Sequence, residues 1–291
     1  MAKNLVTKIS SKNQTVEISR DRPTTIIGER INPTGRKKLH DALEAGNFDI
    51  VRQDAADQVS AGAHVLDVNA GVAGADEPTL LQELMKVVME TSRLPLCIDT
   101  SDPNALSAAL SIYEGKALIN SVNGEERSLS ELLPVVKEHG AAVIGLCMDD
   151  EGIPESPEKR LAVAAKIIER ADKMGIDPSD VIIDPLVLTM GTDYRAGLVT
   201  LKTTEQVAKE FGVNITMGAS NVSFGLPDRH YINATFMAMA IQAGVTCPIT
   251  NPLVTGLMNT ILAADLAMGK DEDSMRWISA FRERRKAAIK A

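Results

Sequence analysis

Eight times along this chain a short apolar run ends in polar or small residues, and a stretch with helical spacing follows. The runs cover residues 24–28, 64–69, 94–100, 117–122, 141–148, 181–186, 213–219 and 245–251. The helical stretches lie near 38–61, 78–92, 103–113, 128–139, 158–174, 200–211, 231–243 and 253–268. Near-continuous apolar strands alternating with amphipathic helices imply parallel strands covered by helices. Eight such units over roughly 250 residues fit a closed (β/α)8 TIM barrel. The competing doubly wound sheet has little support, because no Gly-x-Gly-x-x-Gly follows the first strand.

The ends of the chain read differently. Residues 1–22 are polar, with one alternating patch, Thr15-Val16-Glu17-Ile18, expected as a short strand or hairpin ahead of the barrel. Residues 270–291 read as one more helix, with Trp277 and Phe281 four apart and a basic end, Arg282-Glu283-Arg284-Arg285-Lys286. The expected organisation is an N-terminal extension (1–22), the barrel (23–269) and a C-terminal helix (270–291). A net charge of -8 argues against a general nucleic-acid binder. No apolar run approaches the ~18 residues of a membrane span, and there is no signal-peptide core. Cys97, Cys147 and Cys247 fall in separate apolar runs without metal-like spacing, as expected of core thiols in a reducing cytoplasm.

Active sites of such barrels lie at the C-terminal strand ends. Here those ends carry Gly28-Glu29-Arg30-Ile31-Asn32, Asp67-Val68-Asn69, Ile98-Asp99-Thr100, Ile119-Asn120-Ser121, Ile183-Asp184-Pro185 and Ser220-Asn221. Each could be a cap or a turn, but gathering so many polar groups on one rim without a partner is costly. The stretch Gly218-Ala219-Ser220-Asn221-Val222-Ser223-Phe224-Gly225 adds small residues that allow a ligand close to the backbone. There is no Ser-His-Asp order, no nucleophilic cysteine and no phosphate loop with a lysine. His40, His64, His139 and His230 lack metal-ligand spacing. Covalent catalysis and zinc chemistry are therefore not expected. Carboxylates and amides suit a flat heterocycle with both donors and acceptors, such as a 2-amino-4-oxo pyrimidine edge.

In order and in kind, these segments resemble the pterin-binding methyltransferases. That group includes the methyltetrahydrofolate:corrinoid/iron–sulfur protein methyltransferases of acetogens, the folate domain of cobalamin-dependent methionine synthase and the tetrahydrofolate methyltransferases of O-demethylase systems. The resemblance covers about residues 24–268. It implies a dihydropteroate-synthase-like barrel that binds methyltetrahydrofolate at the strand ends. It implies that Asp99, Asn120 and Asp184 bond the pterin, with Asp67 and Asn69 nearby and Gly218 and Ser220 beside the ligand. Asn221 matches the family's N5-facing asparagine and Arg229 a basic residue on the next loop. An amide suits N5, since it can accept from the protonated nitrogen or donate to its lone pair.

The implied methyl partner is the cobalt of a corrinoid. Asp228-Arg229-His230-Tyr231-Ile232-Asn233 starts like the cobalamin pattern Asp-x-His-x-x-Gly but has Asn for Gly, so the corrinoid is expected on a separate protein. No metal is expected on this chain, and the resemblance implies a homodimer. Phe224 stands where the acetogen enzymes often have Gln, which is closer to the methionine synthase and demethylase-linked branches. Dihydropteroate synthase is the alternative enzyme, but its basic pair after strand 7 and Arg-x-His-like motif at strand 8 are absent. A non-catalytic folate-binding protein is the other alternative, and Asn221 argues against it.

Overall fold

The computed structural model describes residues 3–290. Met1 and Ala2 of the N-terminal extension and Ala291 of the C-terminal helix lie outside it. The chain opens with a hairpin, β1 (Thr7–Ser10) and β2 (Thr15–Ile18), paired antiparallel. The barrel strands follow: β3 (Ile27–Ile31), β4 (Val65–Asn69), β5 (Leu96–Asp99), β6 (Leu118–Asn123), β7 (Ala142–Leu146), β8 (Val181–Asp184), β9 (Asn214–Ile215) and β10 (Ile249–Thr250). They pair in parallel in the order β10-β3-β4-β5-β6-β7-β8-β9. The ring closes between the two outermost strands: Thr246 N donates to Ile215 O at 2.9 Å and Ile249 N to Met217 O at 3.0 Å.

Around the ring run α1 (Lys37–Glu44), α2 (Asp49–Ser60), α3 (Glu77–Thr91), α4 (Pro103–Ser111), α5 (Glu126–Glu138), α6 (Pro157–Lys173), α7 (Ala196–Glu210), α8 (Arg229–Ala243) and α9 (Thr255–Ala267). α10 (Met275–Lys290) closes the chain. Sequence starts the helices locally. α4 and α6 open on proline, preceded by Asp102 and Ser156, whose side chains accept from Asn104 N and Lys159 N. The expected helix over 38–61 is two helices. Gly46 takes φ 67°, which ends the first, and Asn47 accepts from Asp49 N at 2.9 Å to start the second. The seventh and eighth strands are shorter than their apolar runs. Threonine hydroxyls there take up ladder groups: Ile215 N donates to Thr246 Oγ1 and Thr216 Oγ1 to Cys247 O.

Strand alternation sorts the core into two shells. Leu66, Val68, Ile98, Ile119, Val143 and Ile183 pack outward against the helices. Ile27, Val65, Cys97, Leu118, Ile144, Ile182 and Cys247 fill the barrel interior. Ile9 and Ile18 of the hairpin join that interior cluster, both fully buried. Ser10 N donates to Lys116 O and Leu5 N to Gly212 O, so the hairpin plugs the end where strands begin. A lone two-stranded hairpin is marginal. Two buried isoleucines, at about 1.5–3 kcal/mol each, make this one stable as a plug. At the other side, Asp265 on α9 is fully buried and accepts from Thr24 N, Thr24 Oγ1 and Arg276 Nη1, tying α10 to the start of the barrel.

Candidate active site

Two residues beyond each interior apolar residue, the strand reaches the open mouth. Val65 leads to Asp67, Cys97 to Asp99, Leu118 to Asn120 and Ile182 to Asp184. The pleat therefore aims all four polar side chains into the same space, and parallel register sets Asn69 beside Asp99 and Asp99 beside Asn120. Ile27 leads in the same way to Glu29. Glu29 lies in the polar segment expected at the end of the first strand but was given no contact with the ligand. The strand runs on to Ile31, and the Ile27–Glu29 alternation was the signal.

The mouth is strongly acidic for its degree of burial. Asp67 is 3% exposed and accepts from Asn120 Nδ2 at 3.2 Å. Burial first, and the neighbouring Asp99 charge second, push its carboxyl well above the ordinary range. Burial pushes Asp99 up to about 6, against the opposing effect of Asn69. Burial pushes Asp184 up to about 7, although Leu186 N donates to it at 2.7 Å and Arg160 lies near. Burial also raises Glu29, with Arg30 and Arg229 opposing. Among the described residues the side chains of Glu29 and Asn221 have no hydrogen-bond partner. Such a cavity wants a ligand rich in N–H donors, which would supply what burial removes.

Asn221 sits on a short 3-10 turn, Ala219–Ser223, after β9. Its backbone N donates to Gly218 O at 3.1 Å, and its side chain is exposed over the mouth. A Cβ at Gly218 would stand 3.2 Å from Asn221 Nδ2 and crowd that amide. Arg229, at the start of α8, does not reach freely into the mouth: its Nε donates to Ser223 Oγ at 2.9 Å and its Nη2 to Ser220 O at 2.9 Å. Asn233, which breaks the cobalamin-like pattern, accepts from Ser223 Oγ at 2.6 Å. The structure therefore brings together Asp67, Asn69, Asp99, Asn120 and Asp184 as one wall, and Gly218, Ser220, Asn221 and Arg229 as a turn at its edge.

The cysteines do not meet as one group. Cys97 and Cys247 are interior, Cys147 lies in the outer shell, and all are buried thiols. The one His–carboxylate group among the described residues close enough to share an ion, His40 with Asp41 and Glu44, lies on the solvent-facing side of α1 and contains none of the strand-end residues. On the C-terminal helix the Arg284 guanidinium lies 5.5 Å from the Trp277 ring, whereas Phe281 is half exposed. No helix among the described residues is long and apolar enough to cross a membrane.

A barrel with an acidic, amide-lined mouth at the strand ends is the frame of the pterin-binding enzymes. The chain matches the family described as pterin binding enzyme over residues 28–251, and it belongs to that family. Among curated proteins it is 32% identical to the methylcorrinoid:tetrahydrofolate methyltransferase of Eubacterium limosum, covering 91% of this chain and 99% of that protein. It is 31% identical to the methionine synthase of Mycobacterium tuberculosis over 87% of this chain but 22% of that longer protein. Among solved structures, a Yersinia pestis dihydropteroate synthase bound to a pterine-sulfa conjugate superposes with a TM-score of 0.68 at 18% identity, covering 90% of this chain and 98% of that one. At that identity the likeness is one of fold.

Proposed function

We propose that the protein is a methyltransferase that moves a methyl group between N5 of tetrahydrofolate and the cobalt of a corrinoid carried on a separate protein. One observation carries the reading: an amide without a side-chain hydrogen-bond partner among the described residues, Asn221, stands on the turn after β9, at the same strand ends as the buried carboxylates and amides. The similarity to the E. limosum enzyme along nearly the whole of both chains supports it. In this reading Asp67, Asn69, Asp99, Asn120 and Asp184 hold the pterin edge, Glu29 adds a further carboxyl, Gly218, Ser220 and Asn221 flank N5, and Arg229 holds the turn from its outer side while its charge acts on the folate at a distance. A methyl on a tertiary amine has a poor leaving group, so N5 must gain a proton, supplied by solvent, as the C–N bond breaks and its electron pair returns to nitrogen. Asn221 stabilises N5 by accepting from its proton, without itself being an acid.

The corrinoid supplies a nucleophilic cobalt when its protein docks over the mouth; the steps above belong to this chain. A homodimer and a cytoplasmic location complete the reading. The exposed apolar groove between α7 and α8, lined by Leu198, Tyr231 and Met239, supports the dimer, and sedimentation velocity tests it. The test of the activity is optical: protein, methyltetrahydrofolate and cob(I)alamin are mixed and the cobalt spectrum followed. Conversion to methylcobalamin is expected. Tight folate binding with no conversion, even with corrinoid proteins added, would leave a binding protein instead.

The carboxylates also set a pH dependence. Pterin N–H groups bond to ionised carboxylates, whereas burial holds Asp99 protonated below about 6 and Asp184 below about 7 in the free protein. Binding therefore releases protons, and affinity rises with pH until both groups are ionised before the ligand arrives. Calorimetry in buffers of different ionisation enthalpy should show net proton release at pH 6 and little at pH 8. A dissociation constant that is flat between those values would remove the pterin from these residues.

A further inference from the structure

We propose that Ser223 and Asn233 are positioning residues for Asn221, locking the turn that carries its amide over the mouth. This rests on the role given to Asn221 above. The side chain of Asn221 is held by no hydrogen bond among the described residues, so its place depends on the backbone of Ala219–Ser223. A 3-10 turn of that length is weak by itself.

Ser223 is fully buried and works as a knot. Its hydroxyl accepts from Arg229 Nε at 2.9 Å and donates to Asn233 Oδ1 at 2.6 Å. The Arg229 bond is fixed in direction, because a guanidinium only donates, and the one hydroxyl proton goes to Asn233 Oδ1 at 2.6 Å rather than to the more distant Ser220 O at 3.4 Å. Arg229 Nη2 donates at 2.9 Å to the carbonyl of Ser220, the residue just before Asn221. One planar guanidinium thus bridges Ser220 and Ser223 of the turn, with Asn221 between them. Arg229 and Asn233 are four apart at the start of α8, so they share one face of a long helix. On the other side Met190 N donates to Val222 O at 2.9 Å and Thr189 Oγ1 to Phe224 O at 2.6 Å. Removing the Ser223 hydroxyl leaves Arg229 Nε and Asn233 Oδ1 without their partner and frees the turn to shift. A hydrogen bond that matters in the transition state tolerates little of that.

The test compares wild type, Ser223→Ala, Asn221→Ala and the double variant. Single-turnover methyl transfer to cob(I)alamin and the methyltetrahydrofolate dissociation constant are measured for each. Ser223→Ala should slow transfer by about tenfold or more, keep the dissociation constant within about threefold, and add nothing in the Asn221→Ala background. Effects that multiply, or a loss carried mainly by binding, overturn the proposal. Asn233→Asp keeps an acceptor for the hydroxyl and should retain the rate, whereas Asn233→Ala should lose it. That pair decides the matter if Ser223→Ala does not fold, and equal losses in both overturn the proposal. Should wild type transfer no methyl group, the functional reading falls by itself. The side-chain amide resonances of Asn221, assigned by their loss in Asn221→Ala, then decide positioning. One sharp pair in wild type should broaden or split in Ser223→Ala, and an unchanged pair overturns it.

Discussion

Asn221→Ala should lower the rate of methyl transfer by about 10²–10³-fold, the size found when one donor or acceptor facing developing charge is removed. It should leave methyltetrahydrofolate binding within about threefold of wild type, because an interaction made in the transition state does not tighten the ground state. The structural reason lies in how the two parts of the site are built. The wall of Asp67, Asn69, Asp99, Asn120 and Asp184 is strand-borne and stays intact when the turn loses an amide. Asn221 is exposed and touches no other side chain by hydrogen bonding among the described residues, so its removal opens no cavity and orphans no partner. Asp99→Ala gives the contrast, with the main loss expected in binding. Single-turnover rates and dissociation constants for both variants check the division. If binding and rate fall together in Asn221→Ala, the amide serves the pterin ground state and its catalytic role is lost.

Arg160→Met should cost about 3–5 kcal/mol of folding stability, because three backbone carbonyls lose a charged donor at about 1–3 kcal/mol each. Arg160, on α6, is 1% exposed. It donates to Pro154 O at 2.8 Å, Pro185 O at 2.8 Å and Leu186 O at 2.7 Å. Those carbonyls belong to the loops before α6 and after β8, and methionine offers them no donor. Leu186 also takes φ 61°, a conformation a leucine holds only when its surroundings enforce it. Arg160 is in addition a cation near the buried Asp184, so its loss should raise that carboxyl further and weaken folate binding at neutral pH. Urea unfolding measures the first effect. A midpoint shift worth less than about 1 kcal/mol would mean that water or a rearranged loop replaces the guanidinium.

Much of the wall was legible in the chain because a strand's period of two ties position to direction. Once Val65, Cys97, Leu118 and Ile182 are interior, Asp67, Asp99, Asn120 and Asp184 must face the mouth. Glu29 obeyed the same rule and stood in the polar segment at the end of the first strand, but no ligand role was expected of it, because its strand extends past the apolar run. Arg229 was legible as a basic residue near Asn221, but its bonds to the turn were not, since nothing local distinguishes a free arginine from a clamped one.

By itself, then, the sequence determined the eight alternating units, the closed parallel architecture they require and the ring of polar strand ends. All of these follow from local periodicity and the pleat. Tertiary structure alone decided that Ile9 and Ile18 plug the barrel, that Asp265 ties α10 to Thr24, that Arg160 clamps the turn after Asp184, and that Ser223 knots Arg229 to Asn233. Most of these link residues far apart in the chain. Even the nearby Ser223–Asn233 pair meets because α8 folds back on the turn. Their partners are chosen by which groups must be satisfied once water is excluded, and no local pattern encodes that choice.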